Sequence, residues 1–263
     1  MPSIDLIAHN NTAWDQQSKQ NSPWSQPVSS EQVAAARQGE WQIHLTPSPL
    51  PHKWLGNIQG KNILCLASAG GQQAPILAAA GAQVTVFDLS AEQLAKDKMV
   101  ATRDDLALQL EQGDMQDLSR FAHASFDLII HPISNQYVPD IERVWKECHR
   151  VLKAGGALLS SFFNPVIFIA DRDPSYAEQG LIKPCYKLPY ADINDLEPAA
   201  LQHKIEQQQA MIFGHSLLSQ IQGQLQTGLV LADYFEEMQP YPRFEIEKYI
   251  PSFIATRSIK LNE

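Results

Sequence analysis

The sequence predicts an α/β fold, a seven-stranded and mostly parallel sheet with helices on both faces. Three observations predict it. From residue 61 onward, short apolar runs alternate with stretches of helical periodicity. Most of these runs stop at small or acidic residues, and helix-start signals follow the first two. The last two runs lack a crossover helix between them, so the closing pair is antiparallel. Alternation of this kind implies βαβ units with parallel strands and right-handed crossovers.

The first strand is the apolar run 62–66 (NILCL), followed by a helix over 72–80 with Pro75 in its first turn and Gly81 just past its end. Val84 and Val86 alternate in a second strand over 83–87. Ser90 then caps a helix, with Gln93 three residues on as the partner of a capping box. Strands are expected over 106–110 and 126–130. A helix opening at Pro139 places Ile141, Val144, Trp145, Cys148 and Leu152 on one face, and Gly155 and Gly156 turn the chain into a fifth strand over 157–163.

After Asn164 the rhythm breaks. Pro165, Pro174, Pro184, Pro189 and Pro198 mark residues 165–214 as an insertion with one helical patch over 199–209. A helix capped by Ser216 then directs Leu217, Leu218, Ile221 and Leu225 inward and ends at Gly228. Strands over 229–235 and 252–260 close the sheet.

Residues 1–58 are polar and weakly periodic and end in TPSPLP, yet they hold Trp14, Trp24, Trp41 and Trp54 of the chain's 5 tryptophans. That is too aromatic for a disordered tail, so the segment is expected to fold onto the core. It either pins itself there or covers a ligand. The expected organisation is an N-terminal lid over 1–58, a core over 59–164, an acceptor lid over 165–214 and a closing helix and hairpin over 215–263.

The 263 residues suffice for one large domain with a buried core. The formal net charge of −9, without runs of like charge, disfavours a nucleic-acid backbone as partner, which needs a basic face. No apolar stretch approaches about 18 residues, so no membrane span is expected. The N-terminus lacks the basic and apolar regions of a signal peptide. Cys65 and Cys148 lie in apolar patterns and read as buried small hydrophobes. A cytoplasmic setting follows as the expectation. His44 and His52 lack metal-ligand spacing, and no metal site is expected.

In an open parallel sheet, ligands bind outside the carboxyl ends of the strands. The residues there are Ala67, Ser68, Ala69, Gly70 and Gly71, then Asp88, then Asp114 with Met115, then His131 and Ser134. Asp88 suits hydrogen bonding to a ribose diol, and equally suits the start of the helix capped by Ser90. A dinucleotide loop GxGxxG would need glycine where Ala67, Ala69 and Gln72 stand, and pyrophosphate needs that close backbone approach. A nicotinamide oxidoreductase is therefore disfavoured.

The stretches ILCLASAGG, VTVFDLS, GDMQDL, SFDLIIHP and HRVLKAGGALL, with the terminal PSFIATRSIK, occur in one order. In that order they resemble the class I S-adenosylmethionine-dependent methyltransferases, specifically the type 11-like members, over about 55–165 and the last forty residues. The resemblance implies a Rossmann-like seven-stranded mostly parallel sheet with an antiparallel C-terminal strand, and S-adenosyl-L-methionine as cofactor. It departs from the family pattern at Cys65, where an acid is usual, and in keeping only Gly71 of the GxGxG triplet. The cofactor-binding residues implied are Ala67, Ser68, Ala69, Gly70, Gly71, Asp88, Leu89, Gln93, Asp114, Met115, His131 and Ser134. This cofactor presents an amino-carboxylate and a sulfonium to the loop, so amide groups at a helix start should suffice without glycines.

Methyl transfer needs alignment and exclusion of water more than a general base. The loop HPISNQYVPD offers His131, Asn135 and Tyr137 on the acceptor side; each could instead fix the loop, and His131 could be a backbone-bonded buried histidine. His215 could face the pocket or serve its helix start. The expected partner is a small-molecule methyl acceptor, with no nucleic acid and no membrane. A non-catalytic module that binds the same cofactor is the alternative.

Overall fold

A computed structural model describes residues 4–20 and 22–262; the side chain of Trp24 lies outside the described residues. The chain opens with α1 (Leu6–Lys19), α2 (Ser30–Arg37) and α3 (His52–Leu55). Then come β1 (Asn62–Leu66), α4 (Gln73–Ala79), β2 (Gln83–Asp88), α5 (Ala91–Arg103), β3 (Leu108–Gln112), β4 (Phe126–His131), α6 (Ile141–Val151) and β5 (Leu152–Phe163). The insertion holds α7 (Pro174–Glu178), β6 (Tyr190–Ala191), α8 (Asp192–Asp195), α9 (Pro198–Glu206) and β7 (Phe213–Gly214). The chain closes with α10 (Gly223–Gln226), β8 (Leu229–Glu237) and β9 (Phe253–Lys260).

The main sheet runs β3-β2-β1-β4-β5-β9-β8. The first five strands in that order are parallel, and β9 is antiparallel to both β5 and β8. Strand order reverses at β1, which pairs with β2 on one side and β4 on the other, so the ligand crevice opens there. β6 and β7 form a separate two-stranded sheet within the insertion.

Alternation along β1 sends its side chains to two cores. Ile63 and Cys65 join Val84, Val86, Leu77 and Ile130 on one face. Leu64 and Leu66 join Phe87, Ile129, Trp145 and Cys148 on the other. The two cysteines are fully buried among apolar groups, as expected. Ile43, Leu45, Trp54 and Leu55 also enter the first core, so the later part of the N-terminal extension is integral to it. Trp54 donates to Asp233 at 2.9 Å.

Several expectations shift by identifiable causes. β3 starts two residues late because α5 is closed by the Leu106 amide on Ala101 and by Asp105 at φ +50. The capping box at Ser90 is half formed. Ser90 Oγ accepts from the Gln93 amide, but the Gln93 side chain donates to Ser25 Oγ at 2.8 Å. Asp88 takes the Ser90 amide instead. α6 starts at its cap Asp140, and its inward face is as predicted except that Leu152 already belongs to β5.

The late helix is rotated from its predicted face. Leu218 is 66% exposed and Leu217 and Leu225 are also exposed, while Gln220, Gly223 and Gln224 are buried. The cause is a π turn over Leu218–Gln222, which adds a residue to the turn and turns the leucine stripe outward. Gly223 allows close approach, since a Cβ there would stand 2.8 Å from Trp145 Cδ1. The buried glutamines are paired: Asn135 donates to Gln220 at 3.0 Å and Ser258 to Gln224 at 2.7 Å.

Candidate active site

The strand ends, the N-terminal extension, the insertion and the β8–β9 loop wall a cavity of about 1470 Å³. Ala67, Ser68, Ala69, Asp88, Leu89, Gln93, Asp114, Met115 and Ser134 all line it. These nine predicted cofactor residues come together at the reversal in strand order because each ends a strand or starts the following helix.

The loop after β1 is shaped by its own carboxylates. Ala67, at φ +48, sits in the left-handed region that a glycine would occupy freely, and its amide donates to the Phe87 carbonyl at 2.7 Å. The Ala69 amide donates to Asp88 Oδ2 at 3.1 Å, and the Gly70 amide to Asp97 Oδ2 at 2.8 Å. The expectation that these amides aim outward at a ligand carboxylate is therefore corrected: those of Ala69 and Gly70 turn onto acids beneath the loop. Gly70 and Gly71 do not line the cavity. Gly71, at φ +74, lies where a Cβ would meet Pro27 Cβ at 2.9 Å, and its carbonyl accepts from the Val28 amide. It is needed for contact with the N-terminal extension.

Asp88 takes the helix-start role and also lines the cavity. Its Oδ1 accepts from the Ser90 amide at 2.9 Å while the side chain faces the cavity. Burial pushes its carboxyl up to about 6, against the pull of the backbone amides of Ser90 and Ala69. Asp97 is fully buried, with Oδ1 unpartnered, and burial pushes it up to about 7. It escaped prediction as an ordinary helix acid. Its one signal is spacing, because Gln93, Asp97 and Val100 share the inward stripe of α5. Asp114 is held by the amide and side chain of Gln116, at 3.0 and 2.8 Å.

The acceptor-side candidates separate. His131 is 0% exposed and off the cavity wall. It donates from Nδ1 to the Leu66 carbonyl at 3.0 Å and meets Trp145 edge-on at 6.0 Å. Burial lowers its pKa to about 4. It is the backbone-bonded core histidine, and Pro132 and Ile133 take the wall positions beside it. Asn135 also faces away, tied to Gln220. Tyr137 does line the cavity, edge-on to Trp14 at 5.1 Å, with burial raising its phenol. His215 is turned off the wall and donates to the Val138 and Asn135 carbonyls at 2.9 and 3.2 Å, fixing that loop.

The N-terminal extension contributes Trp14 and Trp41 to the wall. Asn10 fastens α1 by donating to the Tyr137 and Met211 carbonyls and accepting from the Met211 amide. Asp15 accepts from Ser90 Oγ at 2.5 Å. Sequence reasoning missed Phe163 at the end of β5, and it missed Ile167, Phe168, Arg172, Tyr241, Arg243 and Phe244 because insertion and hairpin-loop residues carry no local pattern that aims them.

Residues 64–160 match the methyltransferase domain family. The chain is 43% identical over 257 residues to the uncharacterized methyltransferase YbaJ of Bacillus subtilis (strain 168), covering 97% of this chain and 99% of that one. It is 28% identical over 131 residues to a ubiquinone biosynthesis O-methyltransferase of Pseudomonas syringae pv. tomato, covering 49% of this chain and 56% of that one. Its fold resembles an S-adenosylmethionine-dependent methyltransferase from Mesorhizobium loti, with TM-score 0.62 and 20% identity over 79% of this chain and 94% of that one. The chain thus belongs to the class I S-adenosylmethionine-dependent methyltransferases.

Proposed function

We propose that the protein methylates a small molecule held in the same cavity as the cofactor. One observation carries this reading: at about 1470 Å³ the cavity exceeds the roughly 300–1,000 Å³ of a single-ligand pocket. Trp14, Tyr137, Phe163, Phe168 and Phe244 are among its walls.

The residues present fit the cofactor. Gln93 faces the cavity with an orphaned, buried Oε1, and Asp88 presents a carboxylate beside it. In this reading Asp88 accepts from the ribose hydroxyls, and Asp114 and Met115 border the adenine. Ala67, Ser68, Ala69, Leu89, Gln93 and Ser134 complete the wall. When bound, S-adenosylmethionine supplies a methyl group on a sulfonium, open to in-line displacement. The chain's part is to orient the acceptor and exclude water, with residues 165–214 and the earlier part of 1–58 as lids over the core. Of the acceptor-side candidates His131, Asn135 and Tyr137, Tyr137 lines the cavity.

The net charge of −9 supports a small acceptor over a nucleic acid. No helix among the described residues is long and apolar enough to cross a membrane. The buried free thiols Cys65 and Cys148 support a reducing, cytoplasmic setting.

Isothermal calorimetry tests the reading. S-adenosylmethionine and its demethylated product should each bind at micromolar levels or better, and absence of binding by both would remove it.

A further inference from the structure

Among the described residues, the charged groups lining the cavity are unevenly placed. The acids Glu40, Asp88 and Asp114 lie on the N-terminal and strand-end side, whereas the cations Arg172 and Arg243 come from the insertion and the β8–β9 loop. Arg243 balances a buried acid that has no other cation: its Nη2 lies 3.8 Å from Glu247, which makes no second ion pair among the described residues, and its guanidinium sits over Phe244.

Arg172 is not committed in this way. Its guanidinium stands 4.8 Å from the Tyr190 ring centroid and 5.4 Å from that of Phe168, so two ring faces fix its plane. The carboxylate it pairs with, Asp192, is 3.7 Å away, beyond hydrogen-bond length. Asp192 is occupied by others: the Tyr190 hydroxyl donates at 2.6 Å, the Ile212 amide at 2.8 Å, and the Lys204 ammonium bonds the same oxygen as that amide. Two cations therefore share one acid. Arg172 Nη2 is buried without a hydrogen-bond partner, and other atoms of the side chain keep 26% exposure at the cavity wall. A planar guanidinium, pre-oriented and short of an anion, suits charge-assisted capture of a carboxylate. Around it the wall is aromatic: Phe163 meets Phe168 edge-on at 6.4 Å and lies tilted against Phe253 at 5.2 Å.

We propose that Arg172 anchors the carboxylate of the methyl acceptor, and that the acceptor is an apolar, ring-bearing carboxylic acid. This rests on the cavity being the methyl-transfer site. The guanidinium then sets which end of the acceptor faces the insertion, leaving the opposite end for the cofactor.

Calorimetry on the full chain saturated with S-adenosylhomocysteine, using indole-3-acetate, its neutral isostere indole-3-acetamide, and phenyl phosphate, tests this. The carboxylate should bind at least about tenfold tighter than the amide. Arg172→Gln should erase that ratio with cofactor affinity unchanged, and Arg172→Lys should keep part of it. Equal binding of acid and amide by the native protein, binding by neither, preference for the phosphate alone, or an unchanged ratio in Arg172→Gln would overturn the proposal. The native pair decides the matter even if the variants fold poorly. If S-adenosylhomocysteine itself does not bind, the cofactor reading fails separately, and the acid–amide comparison on the unliganded chain still judges Arg172.

Discussion

The amide of Gly70 donates to the carboxylate of Asp97 at 2.8 Å, so a helix acid from α5 supports the loop after β1 from below. With half-buried Asp88 bonded to the Ala69 amide, two carboxylates do the shaping that glycines would otherwise permit. An acid in that position ties loop shape to protonation.

Asp97 should make stability fall as pH rises. Its folded pKa, about 7, lies above the ordinary 3.8, so the folded chain holds a proton that the unfolded chain has released across that window. The stability it confers is complete below about pH 4 and lost as pH passes 7. Asp88, pushed up to about 6, acts in the same sense. Asp97→Asn keeps an acceptor for Gly70 and should flatten the decline in urea midpoint between pH 5 and 8. An unchanged decline would show that Asp97 does not titrate there.

His131 should act in the opposite sense. Its pKa falls from 6.5 to about 4, so its contribution is present above pH 6.5 and lost as pH drops through 4. His131→Phe should remove this acid-side loss from thermal melts. Being off the wall, the ring should place no inflection in a pH–rate profile, and an inflection that vanishes in the variant would return it to the acceptor side.

Asp88→Ala should weaken S-adenosylmethionine binding by about 1–3 kcal/mol, roughly 5- to 150-fold in Kd. It should also lower stability by about 1 kcal/mol, because the Ser90 amide loses its partner. Calorimetry and urea unfolding read the two effects apart. Unchanged affinity would leave Asp88 only the helix-start role.

The two small residues of the loop should respond in opposite directions. Ala67→Gly relieves a left-handed alanine and should stabilise by about 0.5–1 kcal/mol after the entropy of glycine is subtracted. Gly71→Ala pushes a methyl into Pro27 and should destabilise by about 1–3 kcal/mol. Denaturant midpoints of both variants check this.

The central strands were legible because β1, β2 and β4 are largely buried on both faces and carry short clusters of apolar residues between turn signals. Asp88 was legible because its position at the end of β2 fixes what it can reach. Other features depended on chain far away in sequence. The leucines of 217–225 have good helical spacing, and only the π turn against Trp145 reveals that glutamines point inward. His131 ends a strand at the ligand edge, yet Trp145 and the Leu66 carbonyl draw its ring into the core. Arg172 gains meaning only beside Tyr190 and Asp192, which are 18 and 20 positions further along the chain.

The placement of the indole side chains has an optical consequence. Trp14 and Trp41 border the cavity, whereas Trp54 and Trp145 are sealed in the two cores. Intrinsic emission from the first pair should respond when an adenine or an aromatic acceptor enters, while the second pair supplies a steady background until the chain unfolds. Occupancy and unfolding can thus be followed by fluorescence on one unlabelled sample.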